Sequence, residues 1–207
     1  QLYSAYSSGK QSPLKELPVQ YADFAIWQRE WLQGEVLEEQ LAYWKKQLPD
    51  LQPLALPTDY PRPSIQTFRG NYESLTLSAQ LVENLRKQAA QENATLYMLF
   101  LAAFKALLHR YSGQGDIAIG TPVANRNRLE WESVIGTFIN ILVLRTDFSG
   151  DLSFRRVLRR MRETVLDAFD HGDVPFETVV KEMQSGRDPS RSPLIQVLFN
   201  FQSISAE

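Results

Sequence analysis

Two histidines offer the most direct route to acid–base chemistry in this sequence. His171 opens the string HGDVPFE, and Asp173 follows two residues later. A catalytic histidine needs an orienting carboxylate and a nucleophile or substrate within reach, and Asp173 could supply the carboxylate. Asp173 could equally cap a helix that begins at Pro175, because aspartate favours helix N-caps and turns. We predict the cap and turn here, and for His109 a helix C-terminal position, which favours a cation.

Arginines form two groups that could bind anions. The string RDPSRSPL (residues 187–194) holds Arg187 and Asp188 in a Pro-containing loop, which is either an anion-binding corner or a rigid loop held by ion pairs. A second group lies on one predicted helix, where Arg155, Arg156 and Arg159 are candidates for docking an acidic partner protein. Such charge runs are mostly solvated faces, and exposed pairs add little stability.

Two further strings place polar residues among apolar ones. In YADFAIW (residues 21–27), Asp23 is predicted to cap the helix start, and Trp27 lies on the aromatic face of that helix. In IGTFIN (residues 135–140), Asn140 enters a buried strand, so its amide must point outward or have a dedicated partner. Arg145 lies five residues later and therefore points to the opposite face of the strand.

Composition excludes several functional classes. The 207 residues carry a formal net charge of -2, which argues against nucleic acid as the main partner. The absence of cysteine excludes disulfides and thiolate metal sites, we expect no metal site, and the composition fits a reducing compartment. No GxSxG, P-loop, HExxH or GxGxxG string occurs, so a hydrolase or kinase has no support. No apolar run is long enough to span a membrane, and the N-terminus does not resemble a signal peptide.

Hydrophobic periodicity predicts a mixed α/β fold. Helices are predicted at residues 2–7, 20–32, 37–48, 79–91, 96–111, 153–169 and 175–183. Ser78, Thr95 and Ser153 are the expected N-caps of three of them. The helix at 96–111 is apolar nearly all round, so it should be buried on most sides. Strands are predicted at 72–77, 117–123, the second half of 135–147 and 195–201, with a Pro-rich connector after residue 48 and a polar loop at 124–132.

The four strings resemble, in order and spacing, the later core motifs of the condensation domains of non-ribosomal peptide synthetases. The phrases LPTDYPRP, LHRYSGQGDIAIGTPVANRNR and LVLRTDFSGDLSFRRVLRRMRE also look like this family. Departures are small, since Gly172, Ser192 and Ile139 stand where Gln, Asn and Val are common. The resemblance covers nearly the whole chain.

The resemblance implies an α/β fold similar to one lobe of chloramphenicol acetyltransferase, a mixed sheet flanked by helices within a two-lobed domain. Residues 1–50 would be helices bridging from the N-terminal lobe, 51–68 a Pro-rich connector, and 69–207 an incomplete C-terminal lobe. We expect further sheet strands after residue 207 and the catalytic HHxxxDG motif just before residue 1. This sequence therefore contains no catalytic residue of the family.

The resemblance also implies the reaction and its partners. A donor acyl or peptidyl thioester and an acceptor aminoacyl thioester would form an amide bond, each carried on the phosphopantetheine arm of a carrier domain. No cofactor would bind this chain directly, and the setting would be cytoplasmic, without nucleic acid or membrane. In this family the two lobes form a V around a tunnel, into which the phosphopantetheine arms insert. Residues expected to line this tunnel or to support the motifs are Asp23, Trp27, Asn140, Arg145, His171, Asp173, Arg187 and Asp188.

Two alternatives stay open. An epimerisation domain shares the fold and the upstream histidines, although IGTFINILVLR looks more like the peptide-forming members. A non-catalytic carrier-binding or scaffold module is the second. We expect the isolated chain to be inactive in peptide-bond formation and to associate through unpaired strand edges.

Overall fold

The computed structural model describes residues 1–150, 152–183 and 190–202 of the chain. Within these ranges eight helices and two strands alternate without a regular βαβ repeat. The elements are α1 Leu2–Ser7, α2 Tyr21–Trp31, α3 Gly34–Gln47, α4 Ala79–Gln91, α5 Leu96–Ser112, β1 Asp116–Val123, α6 Leu129–Glu132, β2 Asn140–Asp147, α7 Phe154–Asp170 and α8 Phe176–Glu182. None of the helices in the described ranges is long and apolar enough to cross a bilayer.

Side chains at the helix starts explain several of these bounds. Ser78 Oγ accepts a hydrogen bond from Leu81 N at the start of α4, and Thr95 Oγ1 accepts one from Met98 N at the start of α5. In α2, Asp23 Oδ2 accepts from Gln20 N at 2.8 Å and completes a capping box. These three caps confirm the sequence predictions. Ser153 occupies the N-cap of α7 but makes no capping bond with its side chain.

The two strands form an antiparallel pair in which Asp116 lies opposite Asp147 and Val123 opposite Asn140. The segment predicted as the last strand, residues 195–201, adds beside β1 through a single parallel bridge between Gly120 and Leu198. Gly120 N donates to Val197 O, and Phe199 N donates to Gly120 O. A Cβ at Gly120 would lie 2.7 Å from Leu198 Cδ2, so a larger residue at position 120 would have to displace the Leu198 side chain.

Helices cover the sheet and form the main core. α5 and α7 pack against each other and α7 packs on β2, while α4 lies on α5 and α3 contacts α8. Residues among the innermost come from α3, α5, α7 and both strands: Trp44, Leu101, Ile117, Ile119, Leu142, Leu144, Leu158 and Met161. This arrangement of helices around strands is the α/β fold that the sequence predicts.

A second, smaller cluster lies apart from this core. It joins α2 to the loop before β2, and its buried members are Phe24, Trp131, Val134 and Phe138. Trp27 and Val19 pack against it. Two of the four strings, YADFAIW and IGTFIN, therefore meet in one aromatic cluster.

Helix α5 is buried on most sides, as predicted, and Leu107 and Tyr111 are among its residues that face solvent. Two other structural predictions are wrong in part. Residues 72–77 are extended but unpaired, with Tyr72 92% and Leu75 86% exposed, because no strand lies beside them in the described residues. The polar loop at 124–132 contains the short helix α6, whose Trp131 is buried in the aromatic cluster.

Candidate functional site

The side chain of Asn140, at the start of β2, is the junction between two of the strings. Its Nδ2 donates to Gly172 O and to Val174 O, both at 2.8 Å. Its Oδ1 accepts from Phe176 N and from Ile141 N, both at 2.9 Å. An amide offers two N–H groups and one carbonyl oxygen with two lone pairs, so every bonding position is used. IGTFIN and HGDVPFE are thereby held as one unit.

His171 lies at the C-cap of α7, beside this junction. Its Nδ1 donates to Asp167 O at 2.8 Å, since a carbonyl oxygen can only accept. Its ring stacks on Tyr43 with 4.1 Å between centroids, and its own carbonyl accepts from Trp44 Nε1 at 2.9 Å. The ring is fixed between α7 and α3, an arrangement that supports a structural role.

Asp173 neither orients His171 nor caps α8. Its carboxylate makes no hydrogen bond with a described residue, and Pro175 takes the N-cap position of α8 without a side-chain bond. The cap prediction is wrong because Asn140 Oδ1, from a different element, binds the first free N–H of α8 at Phe176. Partial burial raises the pKa of Asp173 above its usual value.

Trp27 lies on α2 and packs against the aromatic cluster. Asp23 lies at the start of the same helix, where its side chain is exposed. Tyr21 Oη donates to Thr137 O at 2.8 Å, and the Tyr21 ring meets Phe138 edge-on at 5.3 Å. A Cβ at Gly136 would lie 2.7 Å from Tyr21 Cγ, so the glycine of IGTFIN is needed for this contact. Trp27 packs on Trp131 with 4.9 Å between centroids.

Two arginines that the sequence analysis did not single out hold the loop before β2. Arg126 donates to the carbonyls of Trp131 and Val134, and its guanidinium lies 4.1 Å from the ring centroid of Phe138. Arg128 lies 4.4 Å from the ring centroid of Trp27, a cation–π geometry. Arginines spaced two apart in a loop next to aromatic strings were the available signal.

Arg145 lies at the other end of β2 from Asn140. It binds both carboxylate oxygens of Asp116, with 2.7 Å between Nη2 and Oδ2. Its Nη1 donates to Gln47 O and Pro49 O, the free carbonyls at the C-terminal end of α3. Hydrogen bonds to Asp116 raise the pKa of Arg145 above its usual value. The side chain therefore ties α3 to the sheet, and it does not meet the Asn140 junction.

Lys105 is a fully buried lysine on α5, and the sequence analysis did not predict its burial. Its Nζ donates to Leu144 O and to Thr146 Oγ1, each at 2.8 Å. A neutral amine has two N–H groups, and these two acceptors use both. Burial lowers the pKa of Lys105 well below its usual value, although Asp116 acts in the opposite direction. A lone lysine in FLAAFKALL was the signal in the sequence.

An open cavity of about 190 Å³ lies between α3, β2 and α7. Polar and charged side chains line it, among them Tyr43, Arg145, Arg160 and Asp167. Burial, and then the charges of Asp167 and Asp170, raise the pKa of Tyr43 to about 12. Both arginines of the cavity are engaged, because Arg145 binds Asp116 and Arg160 donates to Asp147 O.

The docking candidates lie on the exposed side of α7. Arg155 and Arg159 are both in ion pairs with Glu92, at the C-terminal end of α4. Arg156 is exposed and has no carboxylate partner among the described residues. The remaining candidates, Arg187 and Asp188, lie outside the described residues.

The chain matches the sequence model of one protein family, the Condensation domain, over residues 1–207. The chain belongs to the condensation domain family. The family match confirms the resemblance carried by the four strings and places the chain among the domains of non-ribosomal peptide synthetases. The lobe has the chloramphenicol acetyltransferase-like fold of these domains.

Relatives share both sequence and fold with this condensation domain chain. One of the linear gramicidin synthase proteins of Brevibacillus parabrevis is 54% identical over 206 residues, which are 99% of this chain and 4% of that synthase protein. The chain therefore spans a small part of that relative. The X-domain from teicoplanin biosynthesis superposes with a TM-score of 0.87 at 32% identity, covering 95% of this chain and 45% of that one. The X-domain solved in complex with OxyB gives 0.88 at the same identity, covering 95% and 44%.

Proposed function

We propose that this chain is part of a domain that forms amide bonds between a donor acyl or peptidyl thioester and an acceptor aminoacyl thioester. Both substrates would be held on phosphopantetheine arms of carrier domains. The observation that carries this proposal is the family match over all 207 residues, with 54% identity to a linear gramicidin synthase protein. The contacts of Asn140 and Gly136 support it, because they pack the string IGTFIN against the strings HGDVPFE and YADFAIW.

Within that reaction the chain supplies the frame. His171 is stacked on Tyr43 and bonded to a backbone carbonyl, and Asp173 does not orient it. General-base catalysis needs an oriented proton acceptor beside the attacking group, and His171 and Asp173 do not form such a pair. We therefore assign proton handling to the part of the domain that carries HHxxxDG, and we expect these 207 residues alone to form no amide bond.

The proposed division of the chain keeps residues 1–50 as bridging helices, 51–68 as the connector and 69–207 as the C-terminal lobe. Exposed apolar side chains at the end of the connector (Phe68) and in the extended segment after it (Tyr72 and Leu75) support a further partner surface here. The partner we propose is the N-terminal lobe of the same condensation domain. Its binding would remove these side chains from water.

Carrier domains are the proposed partners of the exposed face of α7. Arg155, Arg156 and Arg159 give this face a positive charge, although the whole chain has a net charge of -2. Such a local field steers an acidic protein toward the face and weakens as salt is added. Neutralising these arginines should therefore slow carrier binding more at low salt than at high salt.

The test of the proposed reaction uses the complete condensation domain with two loaded carrier domains. Mass spectrometry of the acceptor carrier should show a mass gain equal to the donor acyl group less one hydrogen, while the donor carrier returns to the free phosphopantetheine thiol. The matched sample contains the 207-residue chain alone and should give no product. Condensation by that chain would contradict the frame role, and a change of substrate configuration without a new amide would favour the epimerisation domain.

A non-catalytic binding module is the second candidate. It is favoured by the close superposition on the X-domain, which was solved in complex with OxyB. A complete domain that binds partner proteins but never transfers the donor group, even with loaded carriers at saturating concentration, would support it. Transfer at any measurable rate that depends on the domain would exclude it.

A further inference from the structure

Three arginines of helix α7 contact the turn between α4 and α5. Arg155 Nε lies 2.6 Å from Glu92 Oε1, and Arg159 Nη2 lies 3.8 Å from Glu92 Oε2. One turn further along, Arg162 Nε donates to Asn93 O at 2.9 Å. The spacing of four and then three residues places the three side chains on one face of the helix. Glu92 is thus enclosed by two guanidinium groups.

The exposure of the three side chains is unequal. The side chain of Glu92 is 14% exposed, whereas those of Arg155 and Arg159 are 68% and 65% exposed. A guanidinium has five N–H donors, and one shared carboxylate with two oxygens cannot use those of both arginines. The remaining donors therefore face solvent. Arg156, the next residue along α7, is exposed as well.

The charge of this surface differs from that of the chain. Arg155, Arg156, Arg159 and Arg162 carry four positive charges against the single negative charge of Glu92, so these five side chains together have a net charge of +3. An acidic protein surface complements this face. A carboxylate arriving at Arg155 or Arg159 would lie close to Glu92 and be repelled by it, so Glu92 opposes the binding that the arginines favour.

We infer that Glu92 is a built-in counter-anion of the docking face, which lowers the affinity of this face for an acidic carrier domain. The inference rests on the proposed docking of carriers at α7 and adds the residue that tunes it. Glu92 orders the two arginines by occupying their inner donors. It leaves their outer donors for the carboxylates of the carrier, at a reduced net charge.

The test measures binding of a phosphopantetheinylated carrier domain of net negative charge to the complete condensation domain by isothermal titration calorimetry. The variant Glu92→Gln keeps an oxygen that can accept from Arg155 but removes the charge. We expect it to bind the carrier about threefold to tenfold more tightly at 50 mM salt, with the difference shrinking at 300 mM as screening increases.

The matched control is Glu83→Gln, which removes the same charge from α4. The carboxylate of Glu83 lies 4.0 Å from Arg86 and 3.9 Å from Lys87 of its own helix, away from the arginines of α7. Its affinity should stay within about twofold of the unmodified domain, because distant surface charges are largely screened. Equal tightening by both variants would overturn the inference, since the effect would then be one of total charge.

Further variants separate the inference from the docking proposal on which it rests. Arg155→Gln and Arg159→Gln should weaken carrier binding. If they do so while Glu92→Gln gives no gain, the docking face stands and the counter-anion role is wrong. If they leave carrier binding unchanged, the docking face itself is wrong.

Two more measurements test the charge dependence of the docking face and its preference for a protein partner over nucleic acid. Arg156→Glu adds a negative charge to the face without touching Glu92, so it should weaken carrier binding about tenfold even if Glu92→Gln fails to fold. A labelled single-stranded oligonucleotide is the second probe. If it binds at 150 mM salt and responds to Glu92→Gln as strongly as the carrier does, the face recognises nucleic acid and the inference is overturned.

Discussion

Asn140 and Val174 lie 34 residues apart in sequence and are joined by a 2.8 Å hydrogen bond from the side-chain Nδ2 to the backbone carbonyl. The same amide binds Gly172 O and the N–H of Phe176. A strand thus supplies the cap of a helix that follows much later in the chain. This explains why an amide stands in an otherwise apolar strand, and why the helix begins without a side-chain cap of its own.

Replacing Asn140 by leucine should destabilise the chain strongly. The substitution leaves the carbonyls of Gly172 and Val174 and the N–H of Phe176 without partners in a buried place, at a cost of roughly 2–4 kcal/mol. Urea unfolding followed by tryptophan fluorescence measures the loss. Ile139→Val, at an exposed neighbouring position, is the control and should change the free energy of unfolding by less than about 0.5 kcal/mol. Equal stability of the leucine variant and the control would contradict the junction role.

Gly136→Ala should separate α2 from the loop before β2. The new Cβ would lie 2.7 Å from Tyr21 Cγ, so the Tyr21 ring must move and the aromatic cluster loosens, at a cost of about 1–3 kcal/mol. Near-ultraviolet circular dichroism should lose aromatic signal. Gly70→Ala is the control, because a Cβ there meets nothing within 4 Å. The double variant with Tyr21→Ala should lose less than the sum of the two single changes, and strict additivity would speak against the clash.

Lys105 should make stability depend on pH in the alkaline range. Burial lowers the pKa of Lys105 in the folded chain, so between that lowered value and the usual 10.5 the unfolded chain holds one more proton than the folded chain. The free energy of unfolding therefore rises with pH through this window, by at most about 1.4 kcal/mol per unit, and falls as the pH is lowered. Urea unfolding at several pH values should show this slope. In Lys105→Met the slope should be smaller and stability near pH 7 greater, and an unchanged slope would disprove the neutral amine.

Tyr43 should act in the opposite direction at higher pH. Burial and the charges of Asp167 and Asp170 raise its pKa to about 12, whereas the unfolded tyrosine ionises near 10. The stabilising effect is complete below pH 10 and is lost as the pH rises through 12. Burial also raises the pKa of Tyr97, so ultraviolet titration at 295 nm should show a late phase to which both tyrosines contribute. The amplitude of this late phase should fall in Tyr43→Phe. Asp167→Asn should lower the pKa of this late phase, and a late phase unaffected by either change would contradict the assignment.

Local signals in the sequence predicted most helices well. Ser78, Thr95 and Asp23 each cap a helix within three residues, so the pattern of neighbouring side chains contains all the information. The order of the four strings was sufficient to indicate the family, which the match over residues 1–207 confirms.

Features that depend on distant neighbours were predicted less well. Residues 72–77 alternate as a strand should, yet they stay unpaired because a strand needs another strand beside it. Aspartate is a common N-cap residue, but Asn140 Oδ1, and not Asp173, accepts the hydrogen bond from Phe176 N at the start of α8. The burial of Lys105 depends on Leu144 and Thr146, which lie about forty residues later and face α5 only in the folded chain.

The sequence by itself determined most of the helices, the caps made by Ser78, Thr95 and Asp23, the central strands and the family, because these follow from periodicity, local hydrogen bonding and the wording of the motifs. Only the tertiary structure decided which polar side chains are satisfied and by whom. Asn140 meets Val174, Gly136 admits Tyr21, and Glu92 lies between Arg155 and Arg159. Contacts across many residues arise from packing, and no local pattern specifies them.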